Sequence, residues 1–108
     1  MNLPSEVRVG PYIYPVEEDQ RISEATGTYG RITYQPHRIT LDPNTTESRM
    51  ITVLMHEVLH AIFDYIDLDS RLADGLDETT ITALTPALVD TLQRNPELVK
   101  AIMDSGAV

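Results

Sequence analysis

The chain of 108 residues contains no cysteine and no tryptophan, a single phenylalanine, and only 8 basic residues against 17 acidic ones. Each shortage excludes something. Without cysteine there is no disulfide and no thiolate ligand, so any metal centre must be assembled from histidine and carboxylate. With no Trp and one Phe, the core has to rest on Leu, Ile, Val and Met. No apolar run approaches the roughly 20 residues of a membrane-spanning helix. The N-terminus, Met1 to Glu6, has neither the basic region nor the apolar stretch of a secretory signal, so the expectation is a cytoplasmic protein without a membrane partner. The net charge of −9 argues against binding nucleic acid, which needs cations to displace phosphate counterions. A hydrophobic content of 42% in this length predicts one globular domain, residues 1–108.

Against that plain background stand His56-Glu57-Val58-Leu59-His60. On a helix, residues i and i+4 lie on one face a turn apart, so the two imidazoles can hold one metal ion. Glu57 projects from the neighbouring edge of that face, where a carboxylate can take a proton from water held by the metal. A chain of this length matches the pattern by chance on the order of a few times in a thousand. The flanking residues, Ile51 to Met55 and Ala61 to Phe63, are apolar at helical spacing. Burying two histidines and a glutamate among them without partners is costly. The competing reading is an amphipathic core helix whose histidines are hydrogen-bonded and inert.

The rest of the chain reads as a small α+β domain. Val7 to Val16 is strand-like, interrupted at Gly10-Pro11. Glu17 to Thr26 is polar and fits either a loop or a short helix. Thr28 to Tyr34 and Arg38 to Leu41 alternate around a Gln35-Pro36-His37 turn and predict a β-hairpin. Asn44 and Glu47 have the spacing of a capping box, so a helix is expected from about Thr45 to Tyr65, with Met50, Val53, Leu54, Ala61 and Ile62 facing the core. An acidic connector follows. A second helix then places Ile81, Leu84, Leu88 and Leu92 on one stripe, with Pro86 expected to kink or restart it and Thr85 as cap. Pro96 to Met103 predicts a short last helix. The expected architecture is a small antiparallel or mixed sheet packed on the long helix, which is crossed by the kinked second one.

A catalytic zinc takes three protein ligands and keeps one position open. His56 and His60 supply two. The third lies among His37, in the turn, and the connector acids Asp64, Asp67, Asp69, Asp74, Asp77 and Glu78. Stepping the apolar stripe back three residues from Ile81 lands on Glu78, which makes it the favoured ligand, with Asp77 and Asp74 as alternatives. Asp77 is rotated about 100° from that phase and reads as a cap. Asp64 shares the face of His60 and suits a hydrogen bond to a ligand histidine. Asp67 to Glu78 also has an EF-hand's length, but Leu72 and Arg71 occupy positions that loop reserves for glycine and an oxygen ligand.

Strand, hairpin, long H-E-x-x-H helix and a second helix opening on an acid resemble the zincin metallopeptidases in their most reduced form. The chain is similar to the small single-domain zincins of phages and prokaryotes and, more loosely, to the peptidase domain of the ImmA/IrrE group; the likeness spans about Gly30 to Leu92. A metzincin extension is absent, since Ala61 to Ser70 contains neither glycine nor histidine. The resemblance to the gluzincin branch implies zinc on His56, His60 and Glu78, Glu57 as general base, and hydrolysis of a peptide or protein substrate. It further implies that Arg38 to Leu41, as the strand nearest the cleft, holds an extended peptide by strand addition, and that Tyr34 or His37 stabilises the oxyanion. Larger relatives carry a second lobe that walls the cleft, and this chain has none. A second expectation is therefore a zinc-stabilised binding or regulatory module without efficient turnover. A third is self-blocking, with Ser105 to Val108 or a second copy over the cleft.

Overall fold

The computed structural model describes residues 3–68, 73, 75–94 and 96–105. Strands β1 (Glu6–Val9) and β2 (Tyr12–Glu18) form an antiparallel hairpin around Gly10-Pro11. Gly10 has φ of 57°, and a Cβ there would lie 2.5–2.8 Å from carbons of the Tyr65 ring. Both the left-handed backbone and the ring above it call for glycine. The polar stretch after β2 is in part a short helix, α1 (Ile22–Thr26). Next come β3 (Gly30–Tyr34) and β4 (His37–Leu41), an antiparallel pair joined across the cis Gln35-Pro36 bond. Three helices complete the chain: α2 (Glu47–Tyr65), α3 (Leu76–Arg94) and α4 (Pro96–Ser105). No helix among the described residues is long and apolar enough to cross a membrane.

The sheet is mixed, in the order β1-β2-β4-β3, because β2 pairs parallel with β4. That pairing puts β4 inside the sheet and leaves β3 as the edge beside the helices. Its inner face buries Val9, Tyr14, Ile39 and Leu41 against Met50, Leu54 and Ala61 of α2. On a different side of α2, Leu59 and Phe63 pack with Ile81 of α3. Helix α2 is thus apolar on two sides, towards the sheet and towards α3, which is why its sequence is apolar well beyond a single stripe. The cleft opens along the remaining side.

Three local expectations are corrected. The cap of α2 is Thr46, whose hydroxyl accepts from Arg49 N at 3.2 Å, and not Asn44. The Asn44 backbone is held by Asp42 and its amide by the Gln20 carbonyl. Helix α3 runs through Pro86 without restarting. Thr85 is no cap there: buried in mid-helix, it donates its hydroxyl to the Ile81 carbonyl at 2.7 Å. Val53 and Ile62 face the core as expected, half-buried and packed against it.

Asp42, fully buried at the end of β4, ties three segments together. One carboxylate oxygen accepts from Ser23 Oγ at 2.6 Å and Ser23 N at 3.1 Å, and the other accepts from Asn44 N at 2.9 Å. The Ser23 hydroxyl first, then the Asn44 amide, hold its carboxyl below the ordinary carboxylate value despite burial. A depressed folded-state pKa adds stability that is complete above the unfolded-state value and is lost as pH falls through the folded one. Thermal melts of Asp42→Asn are therefore expected to show a lower melting temperature than wild type at neutral pH, with the gap narrowing below about pH 4. A gap unchanged down to pH 2 would remove Asp42 from the acid response.

Candidate metal centre and cleft

His56 and His60 stand one turn apart in the second half of α2, and both rings turn to the open side. Their Nε2 atoms are 3.2 Å apart. Across the gap, in the first turn of α3, the Glu78 carboxylate straddles them, with one oxygen 3.1 Å from His56 Nε2 and the other 2.6 Å from His60 Nε2. Zinc bonds of about 2.0–2.1 Å at tetrahedral angles separate neighbouring ligand atoms by about 3.3 Å. The two spacings at His56 are close to that value. A His-His-carboxylate set converging on one point fits a divalent cation of zinc type.

Glu57 lies beside this set but differs in kind. Ligand atoms of His56, Glu57 and His60 all fall within 4.8 Å of one another, so separation alone admits Glu57 as third ligand. Contact favours Glu78, whose oxygens reach both imidazoles. Glu57 is only 6% exposed, and its Oε2 is buried without a hydrogen-bond partner among the described residues. Burial first, and then the negative charge of Glu78, push its carboxyl up to about 7. A cation between the histidines and Glu78 acts in the opposite sense. Burial likewise lowers the His56 pKa, with Glu78 opposing and His60 assisting, and this keeps its imidazole neutral and available as a ligand.

The sequence-derived candidates separate cleanly. Glu78 follows His60 by eighteen residues, and the return of α3 along α2 brings the two together. Its side chain is 57% exposed: the stripe that buries Ile81 and Thr85 emerges into the cleft at Glu78, so this acid faces the opening and not the core. Asp77, expected as a cap, is instead the second residue of α3, and among the described residues it pairs with neither histidine. Asp64 is exposed and makes no hydrogen bond to either histidine among the described residues. His37 is in β4, stacked on Tyr12 with ring centroids 4.7 Å apart, away from the cleft. Asp69 and Asp74, with residues 70–72 of the EF-hand-length segment, and residues 106–108 of the expected self-blocking tail lie outside the described residues.

The cleft measures about 760 Å³ and runs between β3, α2 and the start of α3. Its strand wall is β3, through Gly30, Ile32 and Tyr34. Strand β4, expected in that place, is hydrogen-bonded on both edges and has none left for a peptide. Tyr34 donates to the His60 carbonyl at 3.5 Å, so of the two oxyanion candidates only Tyr34 is near the site. A second depression, of about 490 Å³, lies on the far face of the sheet. Its acids Glu17 and Asp19 are paired to Arg38 and Arg21, and it brings no histidine.

In the sequence Gly30 is an ordinary member of the alternating run from Thr28 to Tyr34. In the fold β3 passes close to α2 at this residue. A Cβ there would collide with Val53 Cγ1 and lie 3.4 Å from Glu57 Cγ. Gly30→Ala is expected to push β3 off the helix and destabilise by about 1–3 kcal/mol. Val53→Ala, which removes the colliding methyl, should recover part of the loss in the double variant. Denaturant melts of the four proteins check this, and strict additivity would sink it.

No protein-family model, no curated protein and no solved structure matches the chain. The functional reading therefore rests on this geometry and on the motif.

Proposed function

We propose that the protein is a zinc-dependent peptidase in which Glu57 is the general base. The observation that carries the proposal is the pairing of two features at one spot: a His56-His60-Glu78 donor set, and beside it a buried carboxylate oxygen with no partner. A structural metal site needs the first and has no use for the second. When bound, zinc supplies Lewis acidity, lowering the pKa of water and polarising a carbonyl.

The remaining work falls to this chain. His56, His60 and Glu78 hold the cation, leaving Glu57 free. Glu57 Oε2 takes the proton of the attacking water and returns it to the leaving amine. The outer edge of β3 offers its backbone groups to an extended peptide by strand addition, and Gly30 lets that strand lie close above Glu57. Tyr34, at the far end of β3, donates its one hydroxyl proton to the His60 carbonyl and would have to turn from it to serve a developing oxyanion. The motif and the donor set support reading the chain as a zincin in reduced form. The test is hydrolysis of a peptide library by zinc-loaded protein, compared with the Glu57→Gln variant and with chelated protein.

A further inference from the structure

Arg49 occupies the end of the cleft away from the connector. It precedes His56 by seven residues, two helical turns on the same face of α2, or about 10.5 Å along the axis. Its guanidinium carbon sits 5.0 Å from the centroid of the Tyr29 ring, just before β3 begins. The helix positions that normally neutralise a surface arginine, three and four residues away, are Thr45, Thr46, Thr52 and Val53. Among the described residues Arg49 is in no ion pair. Among the described residues it is the only Arg or Lys lining the cleft, whose acids are Glu57 and Glu78. In a chain of net charge −9, an unneutralised guanidinium steadied on an aromatic ring at the end of a groove is poised for an anion.

Strand β3 runs the same way as α2, with Gly30 beside Val53 and Glu57, and Tyr34 at His60. A peptide extended along β3 advances about 3.3–3.4 Å per residue, so Arg49 lies about three residues from the metal donors. We infer that Arg49 is a specificity-determining residue that binds a carboxylate of the peptide, about three residues from the scissile bond on the side where β3 begins. This inference rests on the peptidase reading. The carboxylate comes either from an Asp or Glu side chain or from the peptide's own C-terminus. Arginine's planar fork suits both.

The test is binding, so that turnover is not needed. Zinc-loaded Glu57→Gln protein is titrated with fluorescent alanine-based nonapeptides at low salt. One set moves a single Glu, or Gln as its control, through every position; a second compares a free C-terminus with an amide. One Glu position, or the free C-terminus, is expected to bind about five- to tenfold more tightly than its neutral control, and which of them does so identifies the source. Adding Arg49→Gln should bring that ratio close to one, and adding Arg49→Glu should invert it in favour of Lys at the same position, with circular dichroism melts showing both variants folded. A carboxylate preference that survives both substitutions, the lack of any preference, or the lack of binding overturns the inference. Wild-type cleavage of the same peptides separates it from the broader reading. Hydrolysis without carboxylate preference rejects the role of Arg49 and leaves the peptidase. Arg49-dependent binding without wild-type hydrolysis keeps that role and rejects the peptidase.

Discussion

Glu57→Gln is expected to lower peptide hydrolysis by about 10²–10⁴-fold while zinc content stays at one ion per chain. The two halves of that result come from different atoms. The proposed ligand atoms are Nε2 of His56, Nε2 of His60 and the Glu78 carboxylate, which lie in contact with one another, and the substitution touches none of them. What changes is the buried Oε2 that lacks a partner. An amide of the same size fills the space but takes no proton. Folding should not suffer, because a neutral amide is easier to bury than a carboxylate already pushed up to about 7. Zinc analysis, a melt and a library digest on the same preparations check all three. A variant that cleaves as well as wild type would show that Glu57 is not the base. A wild type that holds zinc and cleaves nothing would favour the binding or regulatory module instead.

The residues of the site were more legible in the sequence than its walls, for a physical reason. His56, Glu57 and His60 are read from helical spacing, a local property that tertiary structure does not alter. Glu78 needed one further step, the phase of a second amphipathic helix, and that phase held although its solvent environment differed from expectation. The strand wall depended on which strand pairs with which. Alternation marks both Thr28 to Tyr34 and Arg38 to Leu41 as strands, but only the parallel pairing of β2 with β4 decides that β4 is interior and β3 the edge. That pairing links Val16 to Ile39, far apart in the chain, and no local pattern encodes it. Arg49 and Gly30 were missed for the same reason. An arginine in a first helical turn and a glycine at a strand start look ordinary until the fold sets a cleft beside them. At Pro86 the expected restart does not occur: α3 continues through it, little more than one turn after Ile81 packs on Leu59 and Phe63 of α2.

Removing Glu78 should separate this carboxylate from every other acid of the connector. Glu78→Ala leaves two histidine ligands on α2 and no carboxylate in contact with them, so zinc affinity is expected to fall by at least about 100-fold, more than the 10–100-fold typical of groups that merely support a ligand. The consequence reaches stability, because an ion bound only by the folded state raises the free energy of unfolding, by about 2.7 kcal/mol at 100 times its dissociation constant. For a domain of this size that corresponds to a rise in melting temperature of about 10 °C or more. Wild type should show this rise on adding zinc to chelated protein, and Glu78→Ala should show little of it at the same concentration. His56→Ala should behave like Glu78→Ala, since it removes one of the two imidazoles on which the site is built. Asp77→Ala is the internal control. It changes a neighbouring acid in the same helical turn and should cost about 1 kcal/mol at most through the helix dipole, with the zinc-induced shift intact. Calorimetric zinc titrations and paired melts of the four proteins decide the matter. If Asp77→Ala loses the shift and Glu78→Ala keeps it, the third ligand is the other acid, and the contact between Glu78 and the two histidines is an ion pair at the cleft rim.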